Sequence, residues 1–145
     1  MKVFIIAALT ADGLIARDSH HLAVSWTSKA DKKHFVRLSK EAGHMVMGAN
    51  QYATINRGLP GRQTYVYSTD PISAEGVEVV TEEPAQLGAR LAGQGEEQLA
   101  ICGGAMIYDM FIHAGVVDEL YLTIEPVIFG QGVKFFNENL NLKLS

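Results

Sequence analysis

A chain of 145 residues that is 48% hydrophobic can bury one substantial core and is too short for two ordinary domains. Its net charge of -4 and pI near 5.7 argue against nucleic acid or an anionic membrane as the main partner. The one cysteine, Cys102, excludes an internal disulfide framework and suits a reducing cytoplasm, and nothing around it has metal-ligand spacing, so no metal site is expected.

The apolar run beginning at Val3 is too short to cross a bilayer, and Asp12 interrupts the apolar pattern soon after Leu9. Lys2–Leu9 therefore reads as a buried strand, and without a visible export signal the expected location is the cytoplasm. A long loop covers 10–27. Residues 28–42 have helical periodicity and stop at Gly43. Asp31, Phe35, Leu38 and Ala42 share one stripe of that helix, while Lys29, Lys32, Lys33, Arg37 and Lys40 fall mostly elsewhere. A carboxylate on an apolar stripe must find a partner or lose its charge. Two readings stand side by side: Asp31 closes a capping box begun by Ser28, or it serves a pocket opening onto the helix.

A strand at 44–47 leads through Gly48 to a short helix at 51–55. Residues 59–62, Leu-Pro-Gly-Arg, form a turn before a strand at 64–67. A strand at Val77–Val80 precedes a helix at 83–92, with Pro84 suited to its first turn. The strand at 99–102 runs into Gly103-Gly104 and a helix at Ala105–His113. Residues 118–125 alternate, with Leu120, Leu122 and Ile124 on one face and Tyr121, Thr123 and Glu125 on the other. At the end of the chain Leu140, Leu142 and Leu144 also alternate with polar residues and predict a final short strand. Alternating strands and helices imply an α/β three-layer sandwich around a mainly parallel central sheet, with the ligand at the carboxyl ends of the strands. Gly103-Gly104 lets the backbone bend sharply, and the helix behind it offers free N–H groups to a phosphate. It is not a Gly-x-Gly-x-x-Gly fingerprint, and no Walker Lys-Ser/Thr comes after it.

The order of these motifs resembles the dihydrofolate reductase family over nearly the whole chain, 1–145 forming a single domain with a short C-terminal end. Phe4–Leu9 looks like the first strand and Asp12-Gly-Leu-Ile15 like the entry to the active-site loop. Trp26, Asp31 and Phe35 match residues bordering the pterin site. Val46-Met-Gly48, the Leu59–Arg62 turn, Ile101-Cys-Gly-Gly-Ala-Met-Ile-Tyr108 and Leu120-Tyr-Leu-Thr123 come in the family's order.

The resemblance implies hydride transfer from NADPH, with NADH as second choice, to 7,8-dihydrofolate. It makes Asp31 the pterin-binding acid, supported by Thr123, with Ile6, Trp26 and Phe35 lining the pocket. Arg62, assisted by Arg57, would grip the substrate's glutamate carboxylate. The cofactor would lie against Ala8, Ile15, Asn50, Gln51, Ser68 and Thr69, and against the Cys102, Gly103, Gly104, Ala105, Met106, Ile107 and Tyr108 run. Three positions depart from the family: Ala49 and Gln51 stand where arginine and threonine are usual, and Met106 where a basic residue is common. His20 and His21 read as solvated loop residues rather than catalysts.

Ser25-Trp-Thr-Ser28 and Pro126-Val-Ile-Phe-Gly-Gln-Gly132 also resemble the riboflavin-pathway reductase domain, which reduces a pyrimidine phosphate. A non-catalytic nucleotide-binding protein on the same fold is a third alternative. A sheet ending in one short strand would leave an edge open, so a homodimer is expected, with the C-terminal region or residues 118–136 at the interface.

Overall fold

The computed structural model describes residues 1–18, 21, 25–137 and 140–145. Its first strand, β1 (Lys2–Leu9), is apolar on both faces and takes the interior place that such a strand requires. The other elements come in chain order: β2 (Leu14–Ala16), α1 (Lys29–Ala42), β3 (His44–Gly48), α2 (Ala49–Ile55), β4 (Gln63–Tyr67), β5 (Val77–Val80), α3 (Pro84–Gly93), β6 (Gln98–Ile101), α4 (Ala105–His113), β7 (Glu119–Ile124) and β8 (Val133–Lys134).

Six strands form one sheet in the order β5-β4-β3-β6-β1-β7, and every neighbouring pair is parallel. Strand alternation sorts its side chains onto two faces. Val3, Ile5, Ala7 and Leu9 pack with Leu87 and Leu91 of α3 and Phe111 of α4. Phe4 and Ile6 pack with Leu38 and Ala42 of α1 and Tyr52 of α2. This is the expected sandwich, with one helix pair on each side of the sheet. α1 stops at Gly43, whose φ of 75° admits glycine readily and lets its N–H reach the Ser39 carbonyl at 3.0 Å.

The structure departs from the sequence reading at two places. β2 and β8 pair as a small antiparallel ribbon, which strands of three and two residues are too short to announce by periodicity. Behind it Phe135 is fully buried against Tyr108, ring centroids 4.9 Å apart. The expected terminal strand is not formed: residues 140–145 carry no strand, and Leu142 and Leu144 are exposed, with no ladder partner beside them. Asn139, part of that alternation, lies outside the described residues. Among the described residues no helix is long and apolar enough to cross a membrane, and no group of three His, Cys, Asp or Glu side chains could hold a metal.

Candidate active site

Because the six strands run parallel, Leu9, Gly48, Tyr67, Ile101 and Ile124 all end at the same edge of the sheet. That edge is where an open α/β sheet binds its ligand. α1 supplies one wall. Ser28 is its N-cap, and the Ser28 Oγ accepts the Asp31 main-chain N–H at 3.1 Å. The reciprocal half of a capping box is missing: among the described residues no hydrogen bond or ion pair holds the Asp31 carboxylate. The cap is Ser28's work, and the half-buried carboxylate of Asp31 is left available.

Ile6 and Cys102 are buried on the face of the sheet that α1 covers, with Phe35 packed against the same cluster. Thr123 lies opposite Ala8 in the β1–β7 register, and alternation with the neighbouring Tyr121 sets it on that face too. No hydrogen bond joins Thr123 to Asp31. Trp26 packs edge-on against Phe129 at 5.1 Å, and its buried Nε1 has no hydrogen-bond partner among the described residues. A buried indole N–H in that position calls for a water or a ligand atom.

Arg62 reaches back to α1, donating from one terminal nitrogen to Ser39 Oγ at 3.0 Å and from Nε to the Pro60 carbonyl at 3.0 Å. It belongs to no ion pair among the described residues. Burial pulls its pKa below the usual arginine range, as expected of a partly desolvated cation without a counter-charge. Arg57 is exposed on the same loop, and both arginines line a cleft of about 460 Å³ with Gly58–Gly61 and 74–76. Burial pushes the Cys102 thiol up to about 12, against the opposing pull of Arg62, so Cys102 serves as a small apolar wall.

The other wall is the glycine junction. Gly103 has φ of 107°, and the peptide to Gly104 is cis. Gly104 is the N-cap of α4, and no side chain caps that helix, so the first N–H groups stay open to a ligand. The Gly48 N–H donates to the Gly103 carbonyl at 2.8 Å, and a Cβ on Gly48 would meet Ile107 Cγ1 at 3.0 Å. Two glycines are thus needed where β3 and β6 end side by side. Tyr108 donates its phenol to the Ile6 carbonyl at 2.8 Å. Burial first, then the charges of Cys102 and Asp31, push that phenol well above the ordinary tyrosine range.

These residues fit a dinucleotide's diphosphate through main-chain N–H groups. They provide no cation beside it: none of the twelve Lys and Arg residues falls at 48–52, 67–70 or 102–108. Met106 is exposed on the first turn of α4. Asn50 and Thr69 are exposed, and Gln51 is half-buried. The Ser68 hydroxyl is turned into its own loop, donating to the Asp70 carbonyl at 2.9 Å and accepting the Asp70 N–H at 3.0 Å. Ile15 packs from β2 against the α3/α4 side of the core.

Sequence reasoning missed the residues that tie the loops around the site. Asp12 accepts from Thr10 Oγ1 at 2.5 Å and from the N–H groups of Phe129 at 3.3 Å and Gly130 at 2.8 Å. Those bonds, led by the one from Thr10, hold its carboxyl below the usual range. His21 sits in the loop as expected, where Nδ1 accepts the Arg17 N–H at 3.0 Å, Nε2 meets Ser25 Oγ at 3.0 Å, and the ring packs near Phe129. His20 lies outside the described residues. Glu125 is buried and bonded to Ser28. Its place on the polar face of β7 was visible in the alternation, but its partner 97 positions earlier was not.

Comparison with known proteins agrees with this geometry. The family description "Dihydrofolate reductase" matches residues 2–140. The chain is 38% identical over 126 residues to dihydrofolate reductase type 3 of Salmonella typhimurium, covering 85% of this chain and 71% of that protein. It is 31% identical over 121 residues to dihydrofolate reductase of Bacillus subtilis (strain 168), covering 81% of this chain and 66% of that protein. A crystal structure of a protein from Shewanella sp. PV-4 named for riboflavin biosynthesis superposes with a TM-score of 0.81 at 26% identity, covering 100% of this chain and 88% of that one. The chain belongs to the dihydrofolate reductase family.

Proposed function

We propose that the protein reduces 7,8-dihydrofolate to tetrahydrofolate with a nicotinamide dinucleotide, NADPH before NADH, as a soluble cytoplasmic enzyme of one-carbon metabolism. The observation that carries this reading is the pairing of an available acid and an available cation on one helix. Asp31 sits in the first turn of α1, and Arg62 is anchored on the same helix at Ser39. Eight residues at 1.5 Å each separate the two anchor points by about 12 Å. A substrate that shows N–H groups at one end and a carboxylate roughly that far away suits both.

In this reading Asp31 accepts hydrogen bonds from the pterin's amide and amino N–H groups. Its negative charge beside the ring would favour protonation of the nitrogen of the C=N bond being reduced, and that protonation eases hydride arrival. Ile6 and Phe35 exclude water from the ring, which strengthens every polar contact there. Arg62 holds the glutamate carboxylate with its planar fork. The open N-terminus of α4, behind Gly103 and Gly104, would hold the cofactor's diphosphate. When bound, the nicotinamide supplies the hydride, and the chain supplies orientation.

The test is oxidation of NADPH with dihydrofolate, compared with a ribosylated pyrimidine phosphate and with no substrate. Turnover of dihydrofolate alone is expected. Turnover of the pyrimidine instead would favour the second reading, which the superposition on the Shewanella protein supports. Cofactor binding without turnover of either would mark a nucleotide-binding protein.

A further inference from the structure

Glu125 is the one charged side chain that is buried among the described residues, at 5% exposure. It closes β7, where its N–H donates to the Leu9 carbonyl at 2.8 Å and its own carbonyl accepts from Val127 at 2.8 Å. One carboxylate oxygen accepts the Ser28 hydroxyl at 2.8 Å. The same Ser28 oxygen accepts the Asp31 N–H at 3.1 Å. Three residues thus form a directed chain from the end of β7, through the N-cap of α1, to the main chain of Asp31.

A serine caps a helix without help, and an apolar side chain at 125 would fill the same space without the cost of burying a charge. What the carboxylate adds is direction. A serine hydroxyl is a free rotor with one hydrogen and two lone pairs. With its hydrogen committed to Glu125, its lone pairs are left for the helix, and one of them accepts the Asp31 N–H. The anion also lies at the N-terminal end of α1, where the helix dipole favours negative charge. We propose that Glu125 is a positioning residue for Asp31, acting through the Ser28 hydroxyl. It locks the first turn of α1 to the strand pair that carries Ala8 and Thr123. The catalytic half of this inference rests on the function proposed above, and a misplacement of about 1 Å at a reacting group costs up to roughly 100-fold in rate.

The experiment compares Glu125→Gln, Glu125→Leu, Ser28→Thr, Ser28→Ala and the double variant Ser28→Ala/Glu125→Leu. Glutamine and threonine keep the acceptor and the hydroxyl, whereas leucine and alanine remove them. Turnover with both substrates saturating, NADPH affinity by fluorescence and amide hydrogen exchange at Asp31 are read on each. Glu125→Leu and Ser28→Ala should each lose roughly 10–100-fold in kcat, on that misplacement scale, and exchange Asp31 N–H faster. NADPH affinity should stay within about twofold, because neither residue belongs to the cofactor wall. The double variant should be no worse than the poorer single one, since one linkage is broken either way. Glu125→Gln and Ser28→Thr should retain most of the rate and the exchange protection.

Full turnover in Glu125→Leu would overturn the proposal. So would equal losses in the glutamine and leucine variants, which would make charge rather than direction the cause. Should Glu125→Leu fail to fold, the Ser28→Ala and Ser28→Thr pair decides alone. A wild type that reduced no dihydrofolate would overturn the catalytic half with the function itself, while exchange at Asp31 would still decide whether Glu125 orders the first turn.

Discussion

The Tyr108 phenol donates to the main-chain carbonyl of Ile6 at 2.8 Å across 102 positions of sequence. One bond thereby pins α4 to β1. The bond is buried. Tyr108→Phe should therefore cost about 1–3 kcal/mol, the usual penalty for orphaning a buried acceptor. Chemical denaturation of the two proteins checks this, and identical midpoints would show that the acceptor finds another donor.

Asp31→Asn should keep the fold and cofactor binding and lower the hydride-transfer rate at neutral pH by at least ~100-fold, the scale of general-acid assistance. The cap of α1 uses the Asp31 N–H and not its carboxylate, so melting temperature should hardly move. A variant that melted early yet turned over normally would return Asp31 to a capping role.

Arg62→Ala should weaken dihydrofolate binding by roughly 10–100-fold, from the ~1.5–3 kcal/mol of a hydrogen bond to a charged group. A pterin without the glutamate tail should be reduced almost as before. Equal losses on both substrates would remove Arg62 from the carboxylate role and leave it as the prop of Ser39.

Segments 48–52, 67–70 and 102–108 contain no Lys or Arg, so if they hold the cofactor as proposed, the extra phosphate of NADPH would find no ion pair on them. The KM values of NADPH and NADH should then differ by no more than about tenfold, less than one charged contact commonly supplies. A preference above about a thousandfold on the same scale would mean that a group such as Arg17 or Lys29 swings in, and these would be replaced first.

Asp12 should contribute to the pH dependence of stability. Its carboxyl is held below the ordinary range by Thr10 and by the Gly130 and Phe129 N–H groups, so the folded state favours the ionised form. The resulting stability is fully present above the pKa of an unfolded aspartate, and it is lost as pH falls through the lower folded-state value. The melting temperature of wild type should exceed that of Asp12→Asn at neutral pH, with the gap closing in acid. A gap that stayed constant across that range would assign the clamp to shape rather than charge.

Strong periodic signals were legible. The uninterrupted apolar run of β1 fixed its limits at Lys2 and Leu9, as observed, because a strand buried on both faces has no other solution. The α1 stripe and the stop at Gly43 were readable for the same reason. Contacts between distant segments were not. Nothing in Asp12 or Glu125 announces a partner more than 95 positions away. The leucines at 140, 142 and 144 show the converse failure. Alternation offers a strand one apolar face, but a strand exists only when another supplies its ladder.

The parallel register has a consequence for biosynthesis. β1 finds its first ladder partner only at Gln98–Ile101 and its second at Glu119–Ile124. A ribosome adding about 5–20 residues per second has the earliest strand in hand roughly 5–20 s before its neighbour is made. During that interval Phe4, Ile5 and Ile6 have no sheet to enter. Pairings this distant in sequence also fold slowly. Yield should thus depend on how long a nascent chain can shelter one greasy segment, and slowed translation or scarce chaperones should lower it without any change in the finished protein's stability.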